Sequence, residues 1–469
     1  MTVNNHSFAG ISPRASFLPF ALFVTAAIGL SFFRAVDINL LIAIGLIAII
    51  VGSILSSNSQ KYWATIVEYF GSSTVVTAAL LWLIVGVYGN ILKEGHIVEG
   101  LVWAADSLNL GSTAFILVTF LFSGMFAIST GSGFGTISAM SLTLFPAGIA
   151  VGSDAALLGG AILSGAALGD SISPISDTAV IAATTQQYED QERTADVGGS
   201  VLHRFPIVIW ATALSILAYT LGGLWNADSH TVTVAVQQDN YKGLFLLLPT
   251  LLVMVLALRR VNIFVSLFAG IALAVIIGLS LHLLSISNLI GINNSHISGA
   301  VIDGISGMTN ICLLLMVVVS LSGIIIRSGC MEQVIAKLNK DAVHSKRSAE
   351  LVLFALVAVA GILIAAVNTI ANICVAPFIN NIGRQQGIHP YRRSAILATV
   401  ICTFPFVVPY GGCLLLLMKG IEESGTVAAP EATDFFVTAF YPWILLVSSL
   451  FTCLIHNTHT HESINKTDI

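Results

Sequence analysis

The carboxylates of Asp170 and Asp177 lie in the middle of a long apolar stretch of the chain. Transfer of an ionised group to bilayer depth is costly, so a carboxylate found there is a functional-site hypothesis by default. The neighbouring hydroxyl groups are those of Ser173, Ser176 and Thr178. Hard cations prefer oxygen ligands of these kinds. The segment therefore predicts a Na⁺ site in which the two aspartates are charged ligands and the three hydroxyl residues add neutral oxygens.

Protons are expected to compete with Na⁺ for this pair. Two carboxylates that lie close together interact strongly, so their protons leave in coupled steps. We expect no Lys or Arg inside any membrane span, so either a cation or protons must neutralise the two charges. Because the pair cannot hold both comfortably, it is the simplest device that could exchange one ion for the other.

Composition places these residues in a polytopic membrane protein. Of the 469 residues, 56% are hydrophobic and 9% are charged, and the mean hydropathy is +0.92. A hydrocarbon core about 30 Å thick needs roughly 20 apolar residues per helical span, and the chain supplies many such runs. We predict an all-α, multi-pass protein of the inner (cytoplasmic) membrane that contacts lipid and has no large soluble domain. No basic, aromatic-rich patch suggests a nucleic-acid partner.

Eight apolar runs predict ordinary spans. They are residues 17–33, 38–55, 72–92, 205–224, 243–258, 263–284, 311–326 and 435–455. The first run resembles a signal peptide, but a second span follows almost at once. This favours an uncleaved first helix.

Two regions of the first half depart from this scheme. Residues 112–150 hold two apolar legs around a segment rich in glycine and hydroxyl groups, which includes Thr130 and Ser132. Such a segment does not suit the centre of a helix, so we predict a re-entrant hairpin. Residues 155–187 are apolar at both ends but contain Pro174, which removes a backbone donor and disfavours helix at the preceding residue. We predict one discontinuous span made of two half-helices.

The second half repeats this order. The legs 349–366 and 373–383 surround a polar segment, and the span 395–418 is interrupted at 405–412. Paired interruptions at corresponding positions of two halves are the best sequence indicator of a transporter's binding site. We therefore predict two inverted repeats, each with a re-entrant hairpin and a discontinuous helix, and a further set of ion-site or substrate-site residues. These are Thr130, Ser132, Asn368, Thr369, Asn372 and Tyr410.

Structural roles compete with these assignments. Asp170 and Asp177 could cap helices beside a loop exposed to water, since aspartate caps readily. Thr130 and Ser132 could form a closely packed hairpin tip, because small residues let helices approach each other. Tyr410 could serve packing alone.

The distribution of basic residues sets the predicted orientation. Cytoplasmic loops carry the excess of Lys and Arg. With both termini in the cytoplasm, all but four of the 19 basic residues face that side. The two hairpins then enter from opposite sides. The predicted regions are the N-terminal spans 1–111, a first core region 112–204, intermediate spans and a cytoplasmic loop 205–348, a second core region 349–420, and a last span with the tail 421–469.

Cysteine and histidine add little chemistry. The six cysteines are Cys312, Cys330, Cys374, Cys402, Cys413 and Cys453. They lie mostly in apolar runs without a Cys-x-x-Cys spacing, so we interpret them as buried structural thiols. Three histidines in the tail after residue 455 could chelate a metal, but a solvated tail is the favoured interpretation.

The segment from Gly169 to Thr178 resembles the hallmark of the NhaC-type sodium/proton antiporters, Gly-Asp-x-x-Ser-Pro-x-Ser-Asp-Thr, and matches every fixed position. Segments 130–136 and 409–413 are similar to the family's Thr-Gly-Thr-Ser-Trp-Gly-Thr and Pro-Trp-Asn-Thr-Cys. The resemblance implies the fold of the ion transporter superfamily, with two inverted repeats around a central site. It also implies that the two aspartates take part in ion binding or proton exchange. Ser171 and Gly411 depart from the pattern of many members, which place a basic residue and Asn there.

We therefore predict a secondary active transporter, not an enzyme, that exchanges Na⁺ for H⁺ by alternating access. It would need no cofactor and could form a homodimer. The alternative is Na⁺- or H⁺-coupled transport of a small carboxylate or an amino acid, since the resembling family includes such relatives. An intramembrane aspartyl protease would need its two aspartates on separate helices, in Tyr-Asp and Gly-x-Gly-Asp sequences, and this chain has them in one broken helix. A passive channel is disfavoured by the paired interruptions.

Overall fold

A computed structural model describes residues 11–12, 15–32, 38–188, 193–226, 240–259, 261–293, 296–329, 345–365, 367–425 and 430–455. These ranges are almost entirely helical. The first half contains α1 (Phe17–Phe32), α2 (Ile38–Leu55), α3 (Ser59–Phe70), α4 (Ser73–Glu94), α5 (Ile97–Ser107), α6 (Ser112–Thr130), α7 (Gly133–Ala150), α8 (Ala155–Ile172), α9 (Asp177–Thr184) and α10 (Val197–Asn226).

A 3₁₀ helix, Asn240–Leu246, begins the second half. It is followed by α11 (Leu247–Leu258), α12 (Ile263–Ser280), α13 (Ile286–Leu289), the antiparallel strands β1 (Gly291–Asn293) and β2 (His296–Ser298), α14 (Ala300–Arg327), α15 (Lys346–Leu363), α16 (Asn368–Gln385), α17 (Pro390–Ile401), α18 (Phe404–Val407), α19 (Gly412–Ser424), α20 (Ala432–Thr438) and α21 (Phe440–Ile455).

The multi-pass prediction is confirmed by the lengths of these helices. Within the described residues, nine helical segments are long and apolar enough to cross a membrane, and α20 with α21, which meet at 51°, would make a tenth. The apolar part of α1 and the segment Tyr241–Leu256 are shorter than the other candidates. The sequence predicted full spans at both places.

Several helices extend beyond the predicted spans into polar sequence. α10 begins at Val197 instead of 205, and α14 begins at Ala300 instead of 311. The helices α3 and α5 were not predicted. Only one face of α3 is buried, through Tyr62, Thr65 and Ile66. Mean hydropathy does not identify such helices, because their polar faces cancel their apolar ones.

The predicted interruptions are present as breaks between helices. Residues 173–176 separate α8 from α9, and the predicted span 395–418 is divided among α17, α18 and α19. Gly131 and Ser132 join α6 to α7, but each of these two helices is itself long enough to cross a membrane. The re-entrant depth of the hairpins, the inverted relation of the halves and the cytoplasmic position of the termini therefore stay predictions.

Helices α6 and α8 cross very closely through glycines of α8. A Cβ atom on Gly165 would lie 2.5 Å from the carbonyl oxygen of Phe120, and one on Gly169 would lie 2.1 Å from the Cβ of Ala127. Small residues allow such close approach of helices in membranes. This crossing holds the end of α8, and with it Asp170, against the tip of the first hairpin.

We expect Gly169→Ala to destabilise the protein by about 1 to 3 kcal/mol, the usual cost of overpacking a well-packed site. The measurement is the thermal unfolding of detergent-purified protein. Gly111→Ala is the matched control, since a Cβ there would meet no atom within 4 Å. Equal melting temperatures for the two variants would contradict the close crossing.

Candidate functional site

The break between α8 and α9 is held by the tip of the first hairpin. Ser173 is the C-cap of α8, and its hydroxyl donates to the carbonyl oxygen of Ile128 at 2.7 Å. Gly131 has a φ of +65°, and a Cβ there would lie 2.9 Å from the backbone of Ile175. A left-handed glycine therefore lets the hairpin tip press against the break. Non-helical backbone is tolerated at membrane depth where protein buries it in this way.

Asp170 is the buried carboxylate of this site, with its side chain surrounded by neutral donors. Ser176 donates to Oδ1 at 2.5 Å, and the amide of Asn368 donates to Oδ2 at 2.7 Å. The hydroxyl of Thr178 lies 3.4 Å from Oδ1, and the thiol of Cys402 lies 3.6 Å from Oδ2. Residues from both halves of the chain therefore converge on one carboxylate.

The second half contributes through the first two turns of α16. Asn368 begins this helix, and Asn372 lies one turn later on the same face, where its amide donates to the carbonyl oxygen of Thr178 at 3.0 Å. The Oδ1 atoms of both asparagines are buried and accept no hydrogen bond within the described residues. Two acceptors without donors thus lie on side chains that contact Asp170 and Thr178.

Asp177 has a different environment from Asp170. It is the first residue of α9, its side chain is exposed, and its carboxylate accepts no hydrogen bond from the described residues. It follows Asp170 across the short break between α8 and α9. Since a carboxylate facing lipid would be costly, we expect this exposed face to border a water-filled cavity.

The other predicted site residues mainly form hydrogen bonds with backbone groups. Thr130 donates to the carbonyl oxygen of Phe126, and Ser132 caps α7 by accepting from the backbone N–H of Gly135. The hydroxyl of Tyr410 donates to the carbonyl oxygen of Ile362 at 2.8 Å. Thr369 is half-buried. Among the described contacts, no hydrogen bond joins any of these four predicted residues to Asp170.

Two residues near Asp170 were missed by the sequence analysis. Cys402 was assigned a structural role, although it lies three residues before the second interruption. Arg204 lies in α10, a helix that is long enough to span the membrane and packs against α8 and α9, and its side chain is completely buried. The expectation that no basic residue lies in a span was therefore wrong. Arg204 directly precedes the predicted span. It would have been recognised as a residue of the helix only if the start of α10 had been predicted correctly.

Sequence comparison identifies relatives among membrane transporters. The pattern that defines the Na⁺/H⁺ antiporter family matches residues 7–224 and 202–403. The chain is 27% identical to the malate-2H⁺/Na⁺-lactate antiporter of Bacillus subtilis, over 50% of each chain. It is 29% identical to the Na⁺/H⁺ antiporter NhaC of the same organism, over 43% of each. The matched region thus spans about half the length of these curated relatives.

Two solved transporter structures are also similar. The YdaH transporter of Alcanivorax borkumensis has a TM-score of 0.43 at 16% identity, covering 86% of this chain and 89% of its own. MtrF of Neisseria gonorrhoeae has a TM-score of 0.42 at 11% identity, covering 97% and 96%. Because the family pattern matches most of the sequence, this multi-pass membrane protein belongs to the Na⁺/H⁺ antiporter family, whose members are secondary transporters and not enzymes.

Proposed function

We propose that the protein exchanges Na⁺ for H⁺ across the cytoplasmic membrane, with Asp170 as the site that either ion occupies and Asp177 as its partner. The observation that carries this proposal is the pair of buried amide oxygens, on Asn368 and Asn372, that lack a hydrogen-bond donor beside the buried carboxylate. Oxygen acceptors without donors, grouped around one negative charge, suit a hard cation. The name of the family supports the same two ions, Na⁺ and H⁺.

Competition between the two ions follows from the arrangement. A proton on Asp170 removes the negative charge that would attract Na⁺, and bound Na⁺ disfavours protonation for the same electrostatic reason. Alternating access would then carry whichever ion is bound, with the broken helices re-exposing the site to the other side. If each cycle moves net charge, the membrane potential contributes roughly 2.3 kcal/mol per elementary charge per 100 mV.

Transport by purified protein in proteoliposomes tests the proposal. An imposed Na⁺ gradient should drive proton movement, followed with an internal pH dye, in a medium free of organic solutes. The same vesicles are then offered radiolabelled carboxylates and amino acids. Uptake of one such solute without any solute-free exchange would contradict the proposal.

Coupled transport of an organic substrate is the second candidate function. Arg204, a buried cation on a helix that packs against α8, favours it, because an anionic substrate would need such a partner. Two relatives are named as antiporters of organic solutes, one for malate and lactate and one, from Halobacterium salinarum, for arginine and ornithine. The proteoliposome experiment separates the two candidates.

Asn368→Ala should raise the Na⁺ concentration needed for half-maximal exchange by about 10- to 100-fold, the range for losing a residue that orients a metal ligand. The change removes both the hydrogen bond to Asp170 and an amide oxygen. Asn381→Ala is the control on the same helix, at an exposed position that accepts only from Gln385. An unchanged Na⁺ dependence in Asn368→Ala would exclude this amide from the site.

A further inference from the structure

Arg204 carries a buried charge that no hydrogen bond offsets. It lies in the second turn of α10, and its side chain is 0% exposed. Its Nε, Nη1 and Nη2 atoms all lack a hydrogen-bond partner within the described residues. A buried charge without a partner is strongly destabilising. We therefore expect the guanidinium to be paired in at least one state of the working protein.

The other buried arginines show how this chain normally satisfies such groups. Arg392 forms an ion pair with Glu350 at 2.8 Å. Arg393 donates to the carbonyl oxygens of Asn380 and Gln187. Arg204 is thus the exception among the three buried arginines of the described chain.

No described acidic side chain is available to pair with Arg204. The two buried acids in these ranges are Glu350, which Arg392 already engages, and Asp170. Asp170 forms no ion pair with Arg204, and its oxygens already accept from Ser176 and Asn368. The partner of the guanidinium must then come from outside the described chain.

The chemistry of the group indicates what that partner is. A guanidinium presents N–H donors in a planar fork that matches the two oxygens of a carboxylate. Because Arg204 is fully buried, a partner can reach it only when the protein opens, and a small anion needs the smallest opening. We propose that Arg204 is the anion-binding residue of the central site and receives the carboxylate group of a small organic anion.

This inference rests on the proposed Na⁺ site at Asp170 and extends it to a second substrate class. Na⁺ bound at Asp170 adds a positive charge to the site, and a carboxylate bound at Arg204 adds a negative one. Binding of the two together leaves the net charge of the site unchanged. Each ion should therefore strengthen the binding of the other by the same factor, because coupling between two sites is reciprocal.

Na⁺ titrations of the detergent-purified protein by calorimetry test this coupling. They are run in potassium acetate, lactate or succinate and, at equal ionic strength, in potassium chloride. We expect at least one carboxylate to tighten Na⁺ binding at least about 10-fold relative to chloride. Na⁺ should tighten the binding of that carboxylate equally. Arg204→Gln should remove the coupling, whereas Arg259→Gln, at an exposed position, should preserve it.

Each outcome separates this inference from the proposed exchange. Na⁺ binding that depends on Asp170 but is the same in carboxylate and in chloride would overturn the inference and leave the exchange proposal intact. The opposite result is carboxylate binding that depends on Arg204, without any Na⁺ binding that depends on Asp170. It would overturn the exchange proposal and leave Arg204 as a carboxylate-binding residue. If Arg204→Gln fails to fold, Arg204→Lys replaces it in the Na⁺ titrations. Carboxylate titrations of the unmodified protein with and without Na⁺ then test the coupling from the other side.

Discussion

Asp170→Asn is expected to lower Na⁺-driven proton movement at least about 100-fold, at or beyond the upper end of the range for residues that orient a metal ligand. Asparagine keeps the size of the side chain but can neither bind a transported proton nor attract Na⁺ by its charge. The measurement is the initial rate of proton movement in proteoliposomes at saturating Na⁺. Since Ser176 and Asn368 would still surround the amide, we expect the fold to survive.

Asp154→Asn provides the matched control for this experiment. Asp154 caps the other end of α8 by accepting from the backbone N–H of Leu157 at 2.9 Å. Asparagine caps a helix about as well as aspartate, so transport should be unchanged. Full exchange activity in Asp170→Asn, with the control also active, would remove Asp170 from the ion site.

Asp177→Asn is expected to act on affinity more than on maximal rate. The exposed carboxylate at the start of α9 lies where the helix dipole favours a negative charge. We interpret it as the group that attracts Na⁺ from the water-filled side before the ion reaches Asp170. Its loss should raise the half-saturating Na⁺ concentration about 10-fold, as charged entrances concentrate ions of opposite sign.

The readout for this second variant is the Na⁺ dependence of exchange at low and high ionic strength. The difference from the unmodified protein should shrink as salt screens the charge. Asp106→Asn, which changes another exposed aspartate, should have no effect at either salt concentration. If Asp177→Asn retains the normal Na⁺ dependence at low salt, the site contains one functional aspartate and the paired arrangement is wrong.

Local chemistry made much of the fold predictable. Pro174 and its hydroxyl neighbours dictate a break in any helix that contains them, and the structure has that break at 173–176. The repeated order of polar tip and interrupted span also directed attention to Asn368 and Asn372, which the structure brings to Asp170 and Thr178. These positions could be chosen because they lie in the second half where the polar tip of the first hairpin lies in the first half.

Long-range packing explains what the sequence analysis missed. The first turns of α10 contain the polar residues Ser200, His203 and Arg204, so hydropathy places the start of the span after them, at residue 205. Contacts of α10 with α8, α17 and α21 accompany the burial of one face of these turns, which includes Ser200 and Arg204. A local pattern cannot show which helices will cover a residue. The same limit applies to Tyr410, whose hydroxyl bonds to the backbone of α15, and to the unequal burial of Asp170 and Asp177.

Na⁺ binding to the purified protein, measured by calorimetry across a series of pH values, tests the central claim most directly. If Na⁺ and H⁺ compete for Asp170, the dissociation constant for Na⁺ should rise as the pH falls, by about 10-fold per pH unit once one proton competes. Asp170→Asn should show no saturable Na⁺ binding. A Na⁺ affinity that does not change with pH, or that survives in Asp170→Asn, would contradict the account.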